Sequence, residues 1–221
     1  MRLTEELEIS GTKLREENGR ILGLIQLQAK TDAEAIRKAD EIANTIVFSF
    51  ALRNNLGLSV DDVEIKSKIS SDGISPSFGI YATEHATWSF TDNVGRESLV
   101  GLEKYVKSLN RVDPAKRDQP YRALHWFSRA LFDEDPIDQF IGYYVALEIL
   151  AAIYFPSQSQ TKRVQSLIDR FGLSDLDGQM LTGTRGALLH AGRRTEAVRQ
   201  QVGRVNEIVR KVFHSLLNIP D

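Results

Sequence analysis

The run Phe140-Ile-Gly-Tyr-Tyr-Val-Ala-Leu-Glu-Ile-Leu-Ala-Ala-Ile-Tyr-Phe155 decides the fold of the second half of this chain. Its apolar residues cover nearly all sides of a helix, which is typical of a helix buried at the centre of a bundle. A membrane span needs about 20 apolar residues, whereas this run is shorter, follows Asp138 and contains Glu148. We therefore expect a buried helix and no membrane partner. Pro136 suits its first turn, and the acidic cluster Asp133-Glu-Asp135 suits its N-terminal cap.

Further helices are expected on both sides of this run. From Arg96 onward there is no strand pattern, and turn-forming stretches such as Asn110-Arg-Val-Asp-Pro114 and Pro156-Ser-Gln-Ser separate four to six helical segments. In the last segment, which Thr195 would cap, apolar residues recur every three or four positions and form one stripe. They are Val198, Val202, Val205, Val209, Val212 and Leu216. The sequence predicts a helical bundle over residues 96–221.

The first 95 residues have a different character, in which strand patterns surround one helix. The helix should run from Asp32 to about Leu52 behind a cap at Thr31 or Asp32. Its apolar face should consist of Ala33, Ile36, Ala39, Ile42 and Ile46 and lie on a sheet. Strands are expected in Arg20 to Gln28, Val63 to Ile69 and Phe78 to Phe90. The predicted fold class is therefore α+β, with a small sheet-plus-helix module at 1–95 followed by an all-α bundle at 96–221.

Composition excludes several classes of site. The 28 Lys+Arg and 30 Asp+Glu residues give a net charge of -2, so any nucleic-acid site must be local. The chain has no cysteine, and its four histidines, His85, His125, His190 and His214, show no metal-ligand spacing. Gly-rich phosphate loops and the Gly-x-Ser-x-Gly elbow are absent too. We expect no metal and no cofactor, and a start without the apolar core of a signal peptide favours a cytoplasmic location.

The stretch Leu181-Thr-Gly-Thr-Arg185-Gly-Ala-Leu-Leu-His190-Ala-Gly192 contains the candidate chemistry. Gly192 is a typical C-cap, so the carbonyl end of the helix should favour the charged form of His190 beside Arg185. Five residues of ideal helix set these side chains about 140° apart, so they converge only through the length of arginine or through a second subunit. Glu148, within an apolar helix, needs a partner, and Arg185 is the candidate. The alternative is structural: Arg185 pairs with a buried carboxylate while His190 caps its own helix.

Residues 96–219 resemble a HEPN domain. The resemblance is carried by Arg185-x-x-x-x-His190, by its place at the end of a penultimate helix, and by the earlier helix with Tyr144-Val-Ala-Leu-Glu-Ile-Leu150. The spacing, with an Ala-Leu-Glu helix about forty residues before the motif, is similar to that of the ApeA-like branch of this family. The layout of the whole chain is also similar, more distantly, to proteins of the methylamine-utilisation J type.

The resemblance implies a metal-independent endoribonuclease, or an RNA- or nucleotide-binding protein, of a toxin or phage-defence type. His190 would help to move the proton of the ribose 2′-hydroxyl, and Arg185 would hold the scissile phosphate. Arg193 and Arg194 would add positive charge, and Glu148 would orient Arg185. Family sites are often shared across a homodimer, which would bring the two side chains of the motif together by symmetry. No cofactor is implied.

One position departs from the family pattern. Active members commonly carry a polar residue, often asparagine, directly after the motif arginine, whereas this chain has Gly186. Glycine lowers helix stability by about 1 kcal/mol relative to alanine, so the position is expected to serve close packing. The alternative function is then a non-catalytic protein with a degenerate motif. It would dimerise or bind a partner encoded in the same operon.

Overall fold

The computed structural model describes residues 2–3, 6–17, 20–27, 29, 31–55, 62–67, 77–82, 93–94, 96–172, 175–191 and 196–219. The chain is α+β and divides into two compact units, Met1–Arg111 and Val112–Asp221. A boundary after residue 95 was expected, but the units divide after Arg111. The reason is that helix α2 (Arg96–Asn110) packs against helix α1 (Asp32–Asn54) and so belongs to the first unit.

The first unit contains one five-stranded sheet and one short strand pair. The strands are β1 (Arg2–Leu3), β2 (Leu7–Ile9), β3 (Thr12–Glu17), β4 (Arg20–Gln26), β5 (Asp62–Ser67), β6 (Ser77–Ala82) and β7 (Asn93–Val94). The sheet order is β2-β3-β4-β6-β5, with every neighbouring pair antiparallel, whereas β1 pairs with β7 in parallel. The three expected strand segments are confirmed in β4, β5 and β6. The rest of the third segment, residues 83–90, lies outside the described residues.

Local signals set both ends of α1. Thr31 is the N-cap, as expected, and its Oγ1 accepts a hydrogen bond from the backbone N–H of Glu34 at 3.2 Å. The helix ends at Asn55, whose φ of 56° lies in the left-handed region, and the N–H of Asn55 donates to the carbonyl of Ala51. Side-chain capping and a left-handed C-cap thus satisfy backbone groups that a helix end leaves unpaired.

Helix α1 lies on the sheet, as expected, with a face that overlaps the expected one, since Ala39 and Ile46 are buried and Ile42 packs on the same cluster as Ala39. Ile25 of β4 forms one apolar cluster with Ala35, Ala39 and Ala43. The expected face included Ala33 and Ile36, which was wrong, because Ala33 is exposed and Ile36 is 41% exposed. The buried alanines recur every four residues along one stripe, and their small side chains let the helix approach the strand closely.

The second unit is helical throughout its described residues. It begins with a short 3-10 turn, Pro114–Lys116, and continues with α3 (Asp118–Phe132), α4 (Pro136–Tyr154), α5 (Gln160–Arg170), α6 (Asp175–Ala191) and α7 (Glu196–Leu216). With α2, this makes six α-helices among the described residues from 96 onward, within the expected range of four to six. The valine stripe of α7 is confirmed, with Val198, Val205, Val209 and Val212 fully buried. Thr195 lies outside the described residues.

Helix α4 is the central helix of this unit. Helices α3, α5, α6 and α7 all contact it, and its Phe140, Leu147 and Leu150 are fully buried. Its expected start is confirmed: Pro136 occupies the first turn, and Oδ1 of Asp135 accepts a hydrogen bond from a backbone N–H at 2.8 Å. By length and composition alone α4 also qualifies as a membrane span. Its burial among four neighbouring helices accounts for the same apolar composition.

A glycine allows α4 to approach α3 closely. A Cβ added to Gly142 would lie 2.7 Å from the Cβ of Ala130, which is too short for two carbon atoms. Beside this crossing, the ring of Phe127 on α3 lies 5.5 Å from Tyr143 on α4 and 6.0 Å from Phe213 on α7, between ring centroids. The three aromatic rings fill the space between the helices and hold α4 in place.

Candidate functional site

An ion pair joins α4 to α6 at the motif arginine. Nε of Arg185 lies 3.1 Å from Oε1 of Glu148, and the two side chains are 31% and 18% exposed. The expected partnership of these two residues is therefore confirmed. A carboxylate on a mostly apolar helix would be costly without a partner, and the guanidinium provides one.

The ring of Tyr144 is a second contact of the motif arginine. Cζ of Arg185 lies over this ring, 5.7 Å from its centroid. Tyr144 is buried, and its hydroxyl is hydrogen-bonded to the side chain of Thr182. Burial raises the pKa of Tyr144, and the charge of Glu148 adds to this, whereas the Thr182 hydrogen bond and Arg185 oppose it. The phenol therefore stays neutral near pH 7, and Arg185 is held by a carboxylate and by an aromatic face.

A cavity of about 120 Å³ adjoins the ion pair. It is lined by Phe140, Ile141, Tyr144, Val145, Glu148, Arg185 and Leu188, so its walls are mainly apolar and its charged groups are Glu148 and Arg185. A guanidinium has five N–H donors, of which one carboxylate engages at most two. At least three donors of Arg185 are therefore available to a ligand or to solvent.

His190 belongs to the last turn of α6, which ends at Ala191, so its expected place at a helix end is confirmed. In an ideal helix the Cα of His190 lies about 7.5 Å along the axis from that of Arg185 and about 140° around it. The side chain of His190 lies outside the described part of the structure, as do Gly192, Arg193 and Arg194. The structure thus brings Arg185 together with Glu148. Of His190 it describes only the backbone.

Gly186 stands in open space. A Cβ added there would meet no heavy atom within 4 Å outside its own stretch of helix. The expectation that this glycine serves close packing was therefore wrong. Among the described residues, no close approach of a neighbouring element compensates its destabilising effect on α6, and there is room for a Cβ.

Sequence reasoning missed two residues of the site, Tyr144 and Thr182. Tyr144 precedes Glu148 by four positions on α4, and Thr182 precedes Arg185 by three on α6. These spacings place each pair on one helix face, and that signal could have found them. A buried hydrogen bond also fixes α6 on α7, since Oγ1 of Thr184 donates to Oε1 of Gln201 at 2.7 Å.

The remaining histidines and acidic residues offer no metal site in the part of the chain that the structure describes. His125 is exposed on α3, and His214 is half-buried on α7. Within these limits, the chemistry of the described residues is concentrated at Arg185 and its neighbours.

No protein-family model, curated protein or solved structure matches this chain.

Proposed function

We propose that the second unit is HEPN-like and binds RNA through Arg185, with His190 completing a metal-independent endoribonuclease site. The observation that carries this proposal is the fixed position of Arg185. Its guanidinium lies between the Glu148 carboxylate and the Tyr144 ring and is still partly exposed. An arginine held in this way loses little side-chain freedom when it binds a phosphate, and its planar fork matches two phosphate oxygens.

In the proposed reaction, the His190 imidazole takes the proton of a ribose 2′-hydroxyl. The 2′-oxygen then attacks the adjacent phosphorus, and the 5′-oxygen leaves with a proton supplied by a general acid. Arg185 would neutralise the negative charge that develops on the phosphoryl oxygens. Arg193 and Arg194 would extend the positive surface along the RNA. Residues five apart, such as Arg185 and His190, lie on different sides of a helix. A homodimer in which two α6 helices share a cleft would bring Arg185 of one copy and His190 of the other to the same phosphate.

The test is an RNA-cleavage assay in the presence of a chelator. Wild-type protein is compared with Arg185→Ala and His190→Ala, and His125→Ala serves as the matched control because His125 is an exposed histidine on α3. We expect cleavage by the wild type and the control and its loss in both motif variants. Arg185→Ala should also lower the melting temperature because it removes the ion pair with Glu148, so cleavage is assayed at a temperature at which every variant is folded. Gly186→Asn, for whose Cβ the described residues leave room, should increase cleavage. Activity that survives His190→Ala would place the reaction elsewhere.

A second candidate function is non-catalytic dimerisation or binding of an operon-encoded partner. It is favoured by the charge of the site, since Glu148 and Arg185 cancel formally and the other described walls of the cavity are uncharged. Gly186 also offers no side-chain donor or acceptor. This function predicts that the wild type cleaves and binds none of a varied set of RNAs. It also predicts a dimer or a protein complex in light scattering that Arg185→Ala weakens.

A further inference from the structure

We propose that the cavity between α4 and α6 binds a guanine base, which Glu148 and Arg185 recognise by its hydrogen-bonding edge. The inference rests on the proposed function, because it names the base that accompanies the bound phosphate. The guanine could belong to single-stranded RNA or to a free nucleotide, and the two sources share the same chemistry.

The size of the cavity suits one six-membered ring. An apolar cavity of about 150 Å³ in a protein core holds benzene, and the cavity here is about 120 Å³. The cavity is also partly open to solvent. The six-membered ring of a purine would therefore lie within the cavity against Glu148 and Arg185, while its five-membered ring and its sugar remain outside, near solvent.

The charged pair selects among the bases by its pattern of donors and acceptors. A carboxylate has about four acceptor positions, and one arginine occupies at most two of them. Guanine presents two adjacent donors, N1–H and the 2-amino group, which match the carboxylate of Glu148. Its O6 lies beside them and can accept from Arg185, as guanine O6 commonly does in arginine contacts.

The other bases match this pair poorly. Adenine and cytosine present a single amino group beside a ring nitrogen that only accepts, and uracil presents one N–H between two carbonyl oxygens. Each of these would direct an acceptor at the Glu148 carboxylate. The apolar side chains Ile141, Val145 and Leu188 line the same cavity. They leave little room for a water molecule to compensate a mismatch, so unpaired groups would weaken binding.

The contact with Tyr144 orients the guanidinium. Arg185 lies over the Tyr144 ring, with its Cζ 5.7 Å from the ring centroid. The carboxylate of Glu148 and this ring together limit the freedom of the arginine. Its N–H edge can then meet O6 of the base in the plane of the guanidinium.

Isothermal titration of the wild-type chain with mononucleotides tests the inference without any substitution. The probes are GMP, AMP, CMP, UMP and inosine monophosphate, which lacks the 2-amino group. We expect GMP to bind about 10-fold more tightly than AMP, CMP and UMP, a ratio that corresponds to one matched base contact. Inosine monophosphate should lie between GMP and AMP. Equal affinity for all five, or no binding of any of them at millimolar concentration, would overturn the inference.

Two variants and one control locate the site. Val145→Phe should fill the cavity and abolish GMP binding, and Glu148→Gln should weaken it about 10-fold. Val202→Phe is the control, because Val202 is another half-buried valine and does not line the cavity. Melting temperatures verify that each variant folds. If GMP binds equally to Val145→Phe and to the wild type, the base lies elsewhere and the inference is wrong.

Short RNAs separate this inference from the proposed function. An oligouridine with one guanine is compared with the all-uridine strand for binding and for cleavage. If both strands are bound or cleaved equally, the proposed function stands and the guanine site is wrong. If GMP is preferred and neither strand is bound or cleaved, the guanine site stands as a nucleotide site and the RNA function is wrong.

Discussion

The ion pair between Glu148 and Arg185 should stabilise the second unit by a measurable coupling energy. Exposed ion pairs contribute about 0.2–1 kcal/mol, and breaking a fully buried pair costs about 3–5 kcal/mol. This pair lies between these limits, since its side chains are 31% and 18% exposed and its atoms are 3.1 Å apart. We therefore expect a coupling of about 1–2 kcal/mol, and little loss of it in high salt because a half-buried pair is poorly screened.

A double-mutant cycle in urea measures this coupling. Glu148→Gln preserves shape and removes the charge, and Arg185→Met preserves length and removes the guanidinium. The free energies of unfolding of the wild type, both single variants and the double variant follow from linear extrapolation, taken from the transition of the second unit if the two units unfold separately. A coupling below about 0.3 kcal/mol would refute the reasoning, since this is the error of additivity for independent sites. Arg185 would then not be fixed by Glu148.

Three further predictions concern residues of α4 and α6. Gly186→Ala should stabilise the protein by about 0.5–1 kcal/mol because its Cβ enters open space. Gly142→Ala should destabilise the protein by about 1–3 kcal/mol because the added Cβ would overlap Ala130. If the urea midpoints of the two glycine variants move in the same direction, one of these two predictions is wrong. Burial raises the pKa of Tyr143 to about 12, against the effect of its hydrogen bond with Asn206. The stability that the buried, protonated phenol contributes is fully present below pH 10 and is lost as the pH rises from 10 to 12. Tyr143→Phe removes this titrating group, so over the same pH range the free energy of unfolding should fall by about 1–2 kcal/mol less than in the wild type. An unchanged dependence of unfolding on pH would show that another group titrates there.

The central helix and its neighbours were predictable because their signals are local and long. The apolar run of α4 begins just after a Pro136 start and an Asp135 cap, and each of these features acts within one turn of the helix. The valine stripe of α7 extends over five turns and has one clear period. Such patterns identify the buried face of a helix without any knowledge of the element that packs against it.

The strands of the first unit were only partly predictable. Strand β2 was missed because it has just three residues, and β3 because four of its six residues are charged, which weakens its apolar alternation. A turn signal was present between them, since Ser10 and Gly11 both have positive φ, 48° and 80°. Serine followed by glycine between alternating residues favours a two-residue hairpin turn.

The first turns of the buried face of α1, where Ala33 and Ile36 were expected, were mistaken for a different reason. Alanine is small enough to serve on either face of a helix, so its position in the sequence does not reveal which side is buried. The stripe of Ala35, Ala39 and Ala43 was selected by the close approach of Ile25 on β4. This is a tertiary contact, and no periodicity within the helix determines it.

At the site, the ion pair was predictable and its surroundings were not. A lone carboxylate in an apolar helix requires a partner, and Arg185 of the motif was the candidate for Glu148. The ring of Tyr144 over that arginine and the cavity beside it depend on how α4 and α6 pack. The open space at Gly186 likewise depends on the absence of a neighbour within 4 Å. Such a gap leaves no pattern in the sequence.

The geometry of α6 makes the oligomeric state part of the chemistry. Arg185 and His190 lie on one continuous helix, and a helix holds residues five apart on different sides, about 140° around the axis. In one copy, the two residues can converge only through the length of the arginine side chain. Under the proposed function, a symmetric dimer offers the other route, in which His190 of each copy would meet the phosphate that Arg185 of the other copy would bind. Mixing Arg185→Ala with His190→Ala subunits should then restore part of the cleavage that each variant lacks alone, because a mixed dimer retains one intact combination. No recovery upon mixing would mean that each copy acts alone or that the motif does not cleave RNA.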